Sequence, residues 1–492
     1  MLSDVLWGPK AKCIYLFFAA AVLLFTCLGS HDIWTQEHRW ADIVYGMFYR
    51  HDFLHPYLND VNYYDKPLLS YWLIAGFSLL TGEFSTWAMR LPSALAGLLA
   101  IWAIYRIGTH VKNKQLGLLA GWMLLTTYYF IFWARTSSAD MLNLGGILFA
   151  VAWYIEKREQ PGLWNYTVFF LIIALTSLCK GLVGAVVPVL VILPDLLMNG
   201  EWKKHLRVSV VLAMIPAGIV YFLPFWASAH FGGSAYEQSG LYLVYRENVM
   251  RYFQPFDHKG PLWTYFVFLP VYLLPWAFFF IPALFGIKSA WQNMSARAKW
   301  MIWSVLLLFL FFTFSGSRRN YYVLPIVPFA ILMTADWILK NAKRSLWAAR
   351  VAVIFLVIFV LNFDVLQPLY YSGGGVQGFA DAMRQRVKGS QWNFVMLDPE
   401  SKVRFYLHLS PDVKNYSIHG GRGQQSAEAL LQAWPVLQDK QKNVIFVTRQ
   451  LYEAQLKNIL QGYEVVEASP TWGERIFHIK NVNTPVAFIP QQ

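Results

Sequence analysis

The chain has 492 residues, of which 57% are hydrophobic, 17% aromatic and only 14% charged, against about 25% charged in an average soluble domain. That balance excludes an ordinary soluble protein and indicates a polytopic membrane protein. The formal net charge of +13 does not imply a nucleic-acid partner, because the basic residues sit mainly in short connectors between apolar runs, where they specify topology. Cys13, Cys27 and Cys179 lie within or at the edges of apolar runs, with no CxxC or His/Cys pairing. Neither disulfides nor a thiolate metal site is implied, and they read as packing residues.

In chain order, runs apolar enough to cross a bilayer core of about 30 Å predict about eleven spans. They fall at 13–30, 90–108, 115–132, 141–155, 163–179, 182–198, 208–226, 263–287, 298–314, 321–339 and 346–363. No small-residue cleavage site follows the first, so it reads as an uncleaved span. Between the first two lies HDIWTQEHRWADIVYGMFYRHDFLHPYLNDVNYYDKPLLSYW, dense in acid, base and aromatic residues (Glu37, Arg39, Asp42, Asp60, Asp65, Lys66). Anchored at a membrane face, such a loop reads as the rim of an active site. The connectors at Lys10/Lys12, Arg106/Lys112/Lys114, Lys157/Arg158, Lys203/Lys204/Arg207, Lys288/Arg297/Lys299 and Lys340/Lys343/Arg344/Arg350 all fall on one side. The positive-inside rule makes that side cytoplasmic, together with the N-terminus. The first loop, RTSSAD (135–140), CKG (179–181), residues 227–262, SGSRRN (315–320) and the C-terminal tail then share the outer face.

The tail is different material. After GGG (373–375), short β-rich runs, NFVMLD (393–398) and NVIFVT (443–448), alternate with an amphipathic stretch, RQLYEAQLKNIL (449–460). This predicts a small α/β domain large enough to bury its own core. The expected organisation is a membrane domain over 1–370, with outer loops at 31–89 and 227–262, and a soluble domain over 371–492. An odd span count places that domain outside, in the periplasm of a bacterium.

Five pieces then carry a resemblance. QEHRWAD (36–42) resembles D-E-x-R-Y-A-E. YYDKPLLSYW (63–72) with RLPSAL (90–95) resembles Y-x-[ED]-K-P-P-L-x-Y-W and R-l-P-S. RTSSADM (135–141) resembles an arginine-to-aspartate turn after the third span. SLCKG (177–181) and RENVMRYFQPFDHKGPLWTY (246–265) resemble l-x-K-G and E-N-x-x-R-F followed by H-K-x-P. SRRNYYVLPIVP (317–328) resembles K-x-x-x-Y-x-L-P-x-x-P. In this order they are similar to the C-type glycosyltransferases that use polyprenyl-phosphate sugars, the family of the lipid A aminoarabinose transferase, related to protein O-mannosyltransferases. The resemblance implies an all-α polytopic fold of about 11–13 transmembrane helices with the small α/β domain appended. It implies an inverting transferase at the outer face of a bacterial inner membrane. The donor would be a monosaccharide on polyprenyl phosphate, undecaprenyl in a bacterium, and the acceptor lipid A, another glycolipid or a protein. It further suggests that Asp65 and His258 hold a divalent ion; no other cofactor is expected, membrane lipids surround the chain, and the expected state is a monomer. One position departs from the pattern: Gln36 stands where the family usually has the favoured catalytic Asp, and an amide cannot accept a proton in the same way. Either Glu37 or Asp140 takes the role, or the acceptor is already an anion and needs no base.

The residues support the same chemistry directly. A departing lipid phosphate develops negative charge and needs fixed cations near the membrane surface; Arg39, Lys66, Lys180, Arg318 and Arg319 are the candidates, with Tyr64 and Tyr322 as neutral donors. An acceptor hydroxyl needs a carboxylate within reach, for which Glu37 and Asp140 are best placed. Simpler roles compete. Glu37 could be an exposed loop carboxylate or a helix cap, Asp140 the N-cap of the next span, and Lys66 or Arg90 a snorkelling side chain. Another class, a transporter of a lipid-linked or anionic substrate, would place ionisable groups at mid-span and show inverted repeats. Here the charges gather in loops and no repeat is found.

Overall fold

The computed structural model describes the chain except for residues 1, 35, 59–60, 65, 199, 232–241, 243–244, 257, 373–374, 388–392, 398–401, 412, 414, 418–424, 427–443, 458–459, 461, 468–483 and 491–492. It divides into two compact units. One comprises Met1–Thr26, Tyr64–Leu73 and Arg90–Leu361, the other Cys27–Tyr63, Ile74–Met89 and Asn362–Gln492.

The first unit is a helical bundle. Among the described residues, six helices are long and apolar enough to cross a membrane, including Thr86–Val111, Leu163–Lys180, Val208–His230, Ala296–Phe314 and the stretch Asn320–Leu339. Cys13–Phe25 and Val183–Met198 are apolar but shorter. Two expected spans are broken. The run at 115–132 forms Lys114–Leu125 and Tyr128–Ala134, bent by 71° where Thr126 and Thr127 turn their hydroxyls back onto carbonyls of the preceding turn. Such back-bonding competes with the straight helix. The run at 263–287 is interrupted between Thr264–Tyr272 and Ala277–Ala290, where Pro275 has no N–H to continue the ladder. The inner helices are dry: Val327, Phe329, Ala330, Ile331, Leu332 and Ala335 are at most 1% exposed. On Val208–His230 the apolar side chains Val211, Ile215 and Ile219 are instead more than half exposed, the surface expected against lipid tails. Helices Ala139–Lys157 and Leu163–Lys180 pack closely because Gly146 leaves no room for a Cβ against Thr176, and Asn143 donates to the Thr176 carbonyl at 3.2 Å.

This bundle has two chemically distinct poles. At one, the basic connectors are tied down: Lys112 and Lys340 hold Asp336 at 2.6 and 2.9 Å, Arg106 donates to Glu156 at 2.6 Å, Arg158 to Asp195 at 3.1 Å, and Arg297 to the Val111 carbonyl at 2.8 Å. The other ends of the same helices carry the segments around Asp140, Lys180, His258 and Arg318.

The second unit contains a six-stranded sheet in the order Gln425–Ser426, Asn415–Ser417, Asn393–Leu397, Val444–Arg449, Pro485–Pro490, Tyr463–Glu467. The first four strands are parallel and Pro485–Pro490 is antiparallel to both neighbours. Phe446 pairs with Phe488, and with Val395, Leu397, Val444 and Val486 they form its buried core. Part of the first polar loop folds into this same unit. Helix Glu37–Arg50 buries Trp40, Ile43, Val44 and Met47, the backbone N–H of Ile33 donates to the Tyr406 hydroxyl at 3.0 Å, and the Tyr45 hydroxyl donates to the His408 carbonyl at 3.1 Å. Asp32 accepts from the backbone N–H of Val376 at 3.1 Å, capping helix Val376–Arg386 in the way an acidic side chain satisfies the open N–H groups of a first turn.

Candidate functional site

Within the first unit, the second pole is built on one ion pair. Asp140 stands in the first turn of Ala139–Lys157, and Lys180 is the last residue of Leu163–Lys180. Lys180 Nζ lies 2.5 Å from Asp140 Oδ1, with the two side chains 15% and 12% exposed. Each charge sits at the helix end that favours it, the carboxylate at an N-terminus and the ammonium at a C-terminus. Ser138 occupies the N-cap position without a side-chain cap bond; the Asp140 carboxylate is therefore turned to lysine and not spent on the cap. The same Nζ lies 5.3 Å from the ring centre of Tyr322 and 6.0 Å from that of Tyr321, within cation–π range.

The turn after Lys180 is fixed by a residue outside the expected site. Gly181 has φ 130°, and a Cβ there would fall 2.5 Å from Asn248 Oδ1. That oxygen accepts the backbone N–H of Leu182 at 2.7 Å. Glu247 beside it is paired with Arg251 at 2.6 Å and with Arg246 at 2.9 Å. Asn248 belongs to the RENVMR segment that carried part of the resemblance, and Gly after Lys was the signal that a close backbone approach would follow.

The two arginines of SRRN do different work. Arg318 donates through Nε to the Thr313 carbonyl at 2.9 Å and through Nη1 to the Gly260 carbonyl, while its backbone N–H donates to the His258 carbonyl at 2.8 Å. Together with a bridge between Lys259 and Ser317, these bonds clip residues 258–260 to 313–318. Arg319 donates to the Tyr321 hydroxyl at 2.9 Å, and its Nη2 lies against the His258 ring, 3.1 Å from Nδ1. Tyr321 was not among the expected site residues. It links Arg319 to the Lys180 pair, and its ring packs on Trp133 at 5.3 Å.

A metal fits poorly here. Asp65 lies outside the described residues, and among the described residues no three His, Cys, Asp or Glu side chains gather. His258 faces a guanidinium, a cation placed where a metal would need a free lone pair. No step below is routed through a metal.

Tyr64 and Lys66 also belong to the first unit; both are half-buried, ahead of helix Leu69–Thr81. Glu37 and Arg39 lie in the second. Glu37 is fully buried, and its Oε2 accepts the backbone N–H of Trp34 at 2.7 Å. Arg39 is exposed, with Nη1 3.5 Å from the Tyr63 hydroxyl. Five residues further along the same helix as Glu37, burial pushes the Asp42 carboxyl up to about 7, against the opposing pull of Arg404.

The family described as dolichyl-phosphate-mannose-protein mannosyltransferase matches residues 65–227. Two undecaprenyl phosphate-alpha-4-amino-4-deoxy-L-arabinose arabinosyl transferases are similar over most of the chain. That of Shewanella sediminis is 25% identical over 376 residues, 74% of this chain and 66% of that protein. That of Pectobacterium atrosepticum is 28% identical over 388 residues, 74% and 67%. The crystal structure of ArnT from Cupriavidus metallidurans bound to undecaprenyl phosphate shares the fold, with a TM-score of 0.71 over 97% of both chains at 17% identity. The chain is similar in sequence to these transferases and shares the C-type glycosyltransferase fold. An Archaeoglobus fulgidus oligosaccharyltransferase, solved with Zn and sulfate, is a more remote relative in fold, with a TM-score of 0.54 over 91% of this chain and 69% of that one. The matched segment spans slightly less than two thirds of the Shewanella protein. The chain is a polytopic helical protein with a small sheet domain at its C-terminal end, as its own residues indicated.

Proposed function

We propose that this C-type glycosyltransferase moves a monosaccharide from a polyprenyl phosphate, undecaprenyl phosphate in a bacterial inner membrane, to a glycolipid of the lipid A type. The observation that carries the reading is the Asp140–Lys180 pair beneath Tyr321 and Tyr322 with Arg319 beside them, a carboxylate and two cations at one end of an apolar bundle. The names of the curated relatives, which transfer aminoarabinose from undecaprenyl phosphate, support the donor class. In the transfer, an acceptor oxygen attacks the anomeric carbon while the bond from that carbon to the phosphate oxygen breaks. The bonding electrons leave on the phosphate. Lys180 and Arg319 meet that charge, the role that fixed cations play best in a site shielded from water. If the acceptor is a hydroxyl its proton goes to Asp140; if it is a lipid phosphate there is no proton to move. A single displacement inverts the anomeric centre. Tyr64, Lys66 and Arg318, in the first unit, complete the proposed site on the Asp140 side of the membrane, and Glu37 and Arg39 remain candidates on the first polar loop. That side is the outer face, because the opposite pole carries the tied basic connectors, and the C-terminal domain is then periplasmic.

The test is direct transfer. Membranes containing the chain are incubated with a panel of radiolabelled polyprenyl-phosphate sugars, and label is followed into lipid A, other glycolipids and protein. One donor should label one acceptor fraction in membranes with the wild-type chain and not in membranes lacking it. No transfer from any donor above that background would overturn the proposal.

A further inference from the structure

At the basic pole of the first unit, a cavity of about 210 Å³ opens between the ends of Ala139–Lys157, Leu163–Lys180 and Val183–Met198 and the start of Val208–His230. Its walls are apolar, with Phe169, Phe170, Ile192 and Leu193 among them; Lys157, Arg158 and His205 line its polar end. That end is built, not incidental. Asp195, only 6% exposed, is held by the Tyr154 hydroxyl at 3.0 Å and by Arg158 Nη1 at 3.1 Å. Arg158 Nε is 3.5 Å from Glu159. The Tyr166 hydroxyl and His205 Nδ1 are 2.9 Å apart. Lys157 lies over the Trp153 ring at 5.9 Å, and the next turn supplies Lys203, Lys204 and Arg207, all exposed.

We propose that this cavity binds one anionic glycerophospholipid, with its phosphodiester at Lys157 and Arg158 and an acyl chain against Phe169, Phe170 and Leu193. Charge complementarity selects the headgroup, since the five cations of the rim and adjoining turn, Lys157, Arg158, Lys203, Lys204 and Arg207, outnumber the carboxylates paired with them, Asp195 and Glu159, and membrane-facing cations favour anionic lipids. The remaining acyl length has a path along Val208–His230, where Val208, Val211 and Ile215 are 75%, 64% and 54% exposed. The polyprenyl donor is a poor occupant. Its reacting end belongs at Asp140, and helix Ala139–Lys157, with 19 residues, separates Asp140 from Lys157 by about 26 Å at the usual 1.5 Å per residue. The lipid site is therefore independent of the proposed transfer site.

The full chain, purified in neutral detergent, is mixed with phosphatidylglycerol and phosphatidylcholine of matched acyl chains, and retained lipid is counted by native mass spectrometry. The wild-type chain should keep phosphatidylglycerol at least about fivefold over phosphatidylcholine, the discrimination expected of even one membrane-facing cation. Lys157→Gln should lose most of that preference, Lys157→Arg should keep it, and Leu193→Trp, which fills the cavity, should reduce retention of both lipids. Equal retention of the two lipids by the wild-type chain would overturn the proposal. So would unchanged retention in both Lys157→Gln and Leu193→Trp. Because the readout is bound lipid, a chain that failed every sugar-transfer assay could still satisfy it.

Discussion

Breaking the Asp140–Lys180 pair from either side should give unequal kinetic losses that do not add. Asp140→Asn keeps the shape and removes the negative charge; Lys180→Gln removes the positive one. Both side chains are close to buried, at 12% and 15% exposed, so the pair lies nearer the buried limit, where loss of one partner costs about 3–5 kcal/mol, than the exposed limit of about 0.2–1 kcal/mol. If Asp140 is the base, Asp140→Asn should cut kcat by about 10²- to 10⁴-fold with little change in donor KM. If Lys180 grips the donor phosphate, Lys180→Gln should raise donor KM by about 10- to 150-fold, from about 1.5–3 kcal/mol for a charge-assisted bond. In the double variant no unpaired charge remains, so its loss of thermal stability should be smaller than the sum of the single losses by more than about 0.5 kcal/mol. The assay is steady-state transfer from labelled donor alongside thermal melts of the four proteins. Full kcat and KM in both single variants, or strict additivity of the stability losses, would refute the reasoning.

Other consequences follow from single side chains. Asp42 binds its proton more tightly folded than unfolded, about 7 against 3.8, so its contribution is fully present below about pH 4 and is lost as pH rises to 7. Thermal melts should fall across that window, Asp42→Asn should flatten the fall, and an unchanged slope in that variant would remove Asp42 as its cause. Gly181→Ala combines a φ of 130° with a Cβ 2.5 Å from Asn248 Oδ1, so it should lower the melting point by an amount equivalent to about 1–3 kcal/mol and reduce transfer; a wild-type melt would contradict the close approach. Topology is read with single cysteines in a background lacking Cys13, Cys27 and Cys179. Asn320→Cys should react with an impermeant maleimide on intact spheroplasts, and Asn113→Cys and Asn341→Cys only after lysis; all three positions are exposed, so the reverse pattern would invert the assignment.

The parts of the fold legible in the sequence are those where composition alone decides. Predominantly apolar runs flanked by charge, such as 163–179 and 182–198, became Leu163–Lys180 and Val183–Met198, because in lipid a helix is the way such a run satisfies its backbone. The bend at Thr126–Thr127 was hidden, since threonine is apolar enough to pass within a span and only its neighbours decide whether its hydroxyl turns back on the helix. The strand at 444–449 was visible as a Val/Ile-rich run, whereas Tyr463–Glu467 and Pro485–Pro490, one with acids within it and one bounded by prolines, have no comparable signature. In the site, residue types were readable and pairings were not. Asp140 and Lys180 were each named, but their 2.5 Å contact spans 40 residues and depends on how two helices pack. Tyr321 and Asn248 were missed because tyrosine at a span end usually marks the membrane interface and a loop asparagine usually marks a turn.

Gln36 gives these pairings their mechanistic weight. Its amide cannot serve as the base, and the neighbouring Glu37 is fully buried with Oε2 accepting the Trp34 N–H, so an acceptor hydroxyl could reach it only at the cost of opening a site closed to solvent. Asp140 is held instead by an ion pair, whose opening carries its own cost. Its partner is a lysine that the departing phosphate also attracts, so donor binding itself can draw Lys180 away and leave the carboxylate ready for a proton. The size of the Asp140→Asn defect therefore reports the acceptor. A loss of about 10²-fold or more points to a hydroxyl acceptor that needs a base, whereas a loss below about tenfold points to an acceptor that arrives ionised, for which the missing aspartate at position 36 is no handicap.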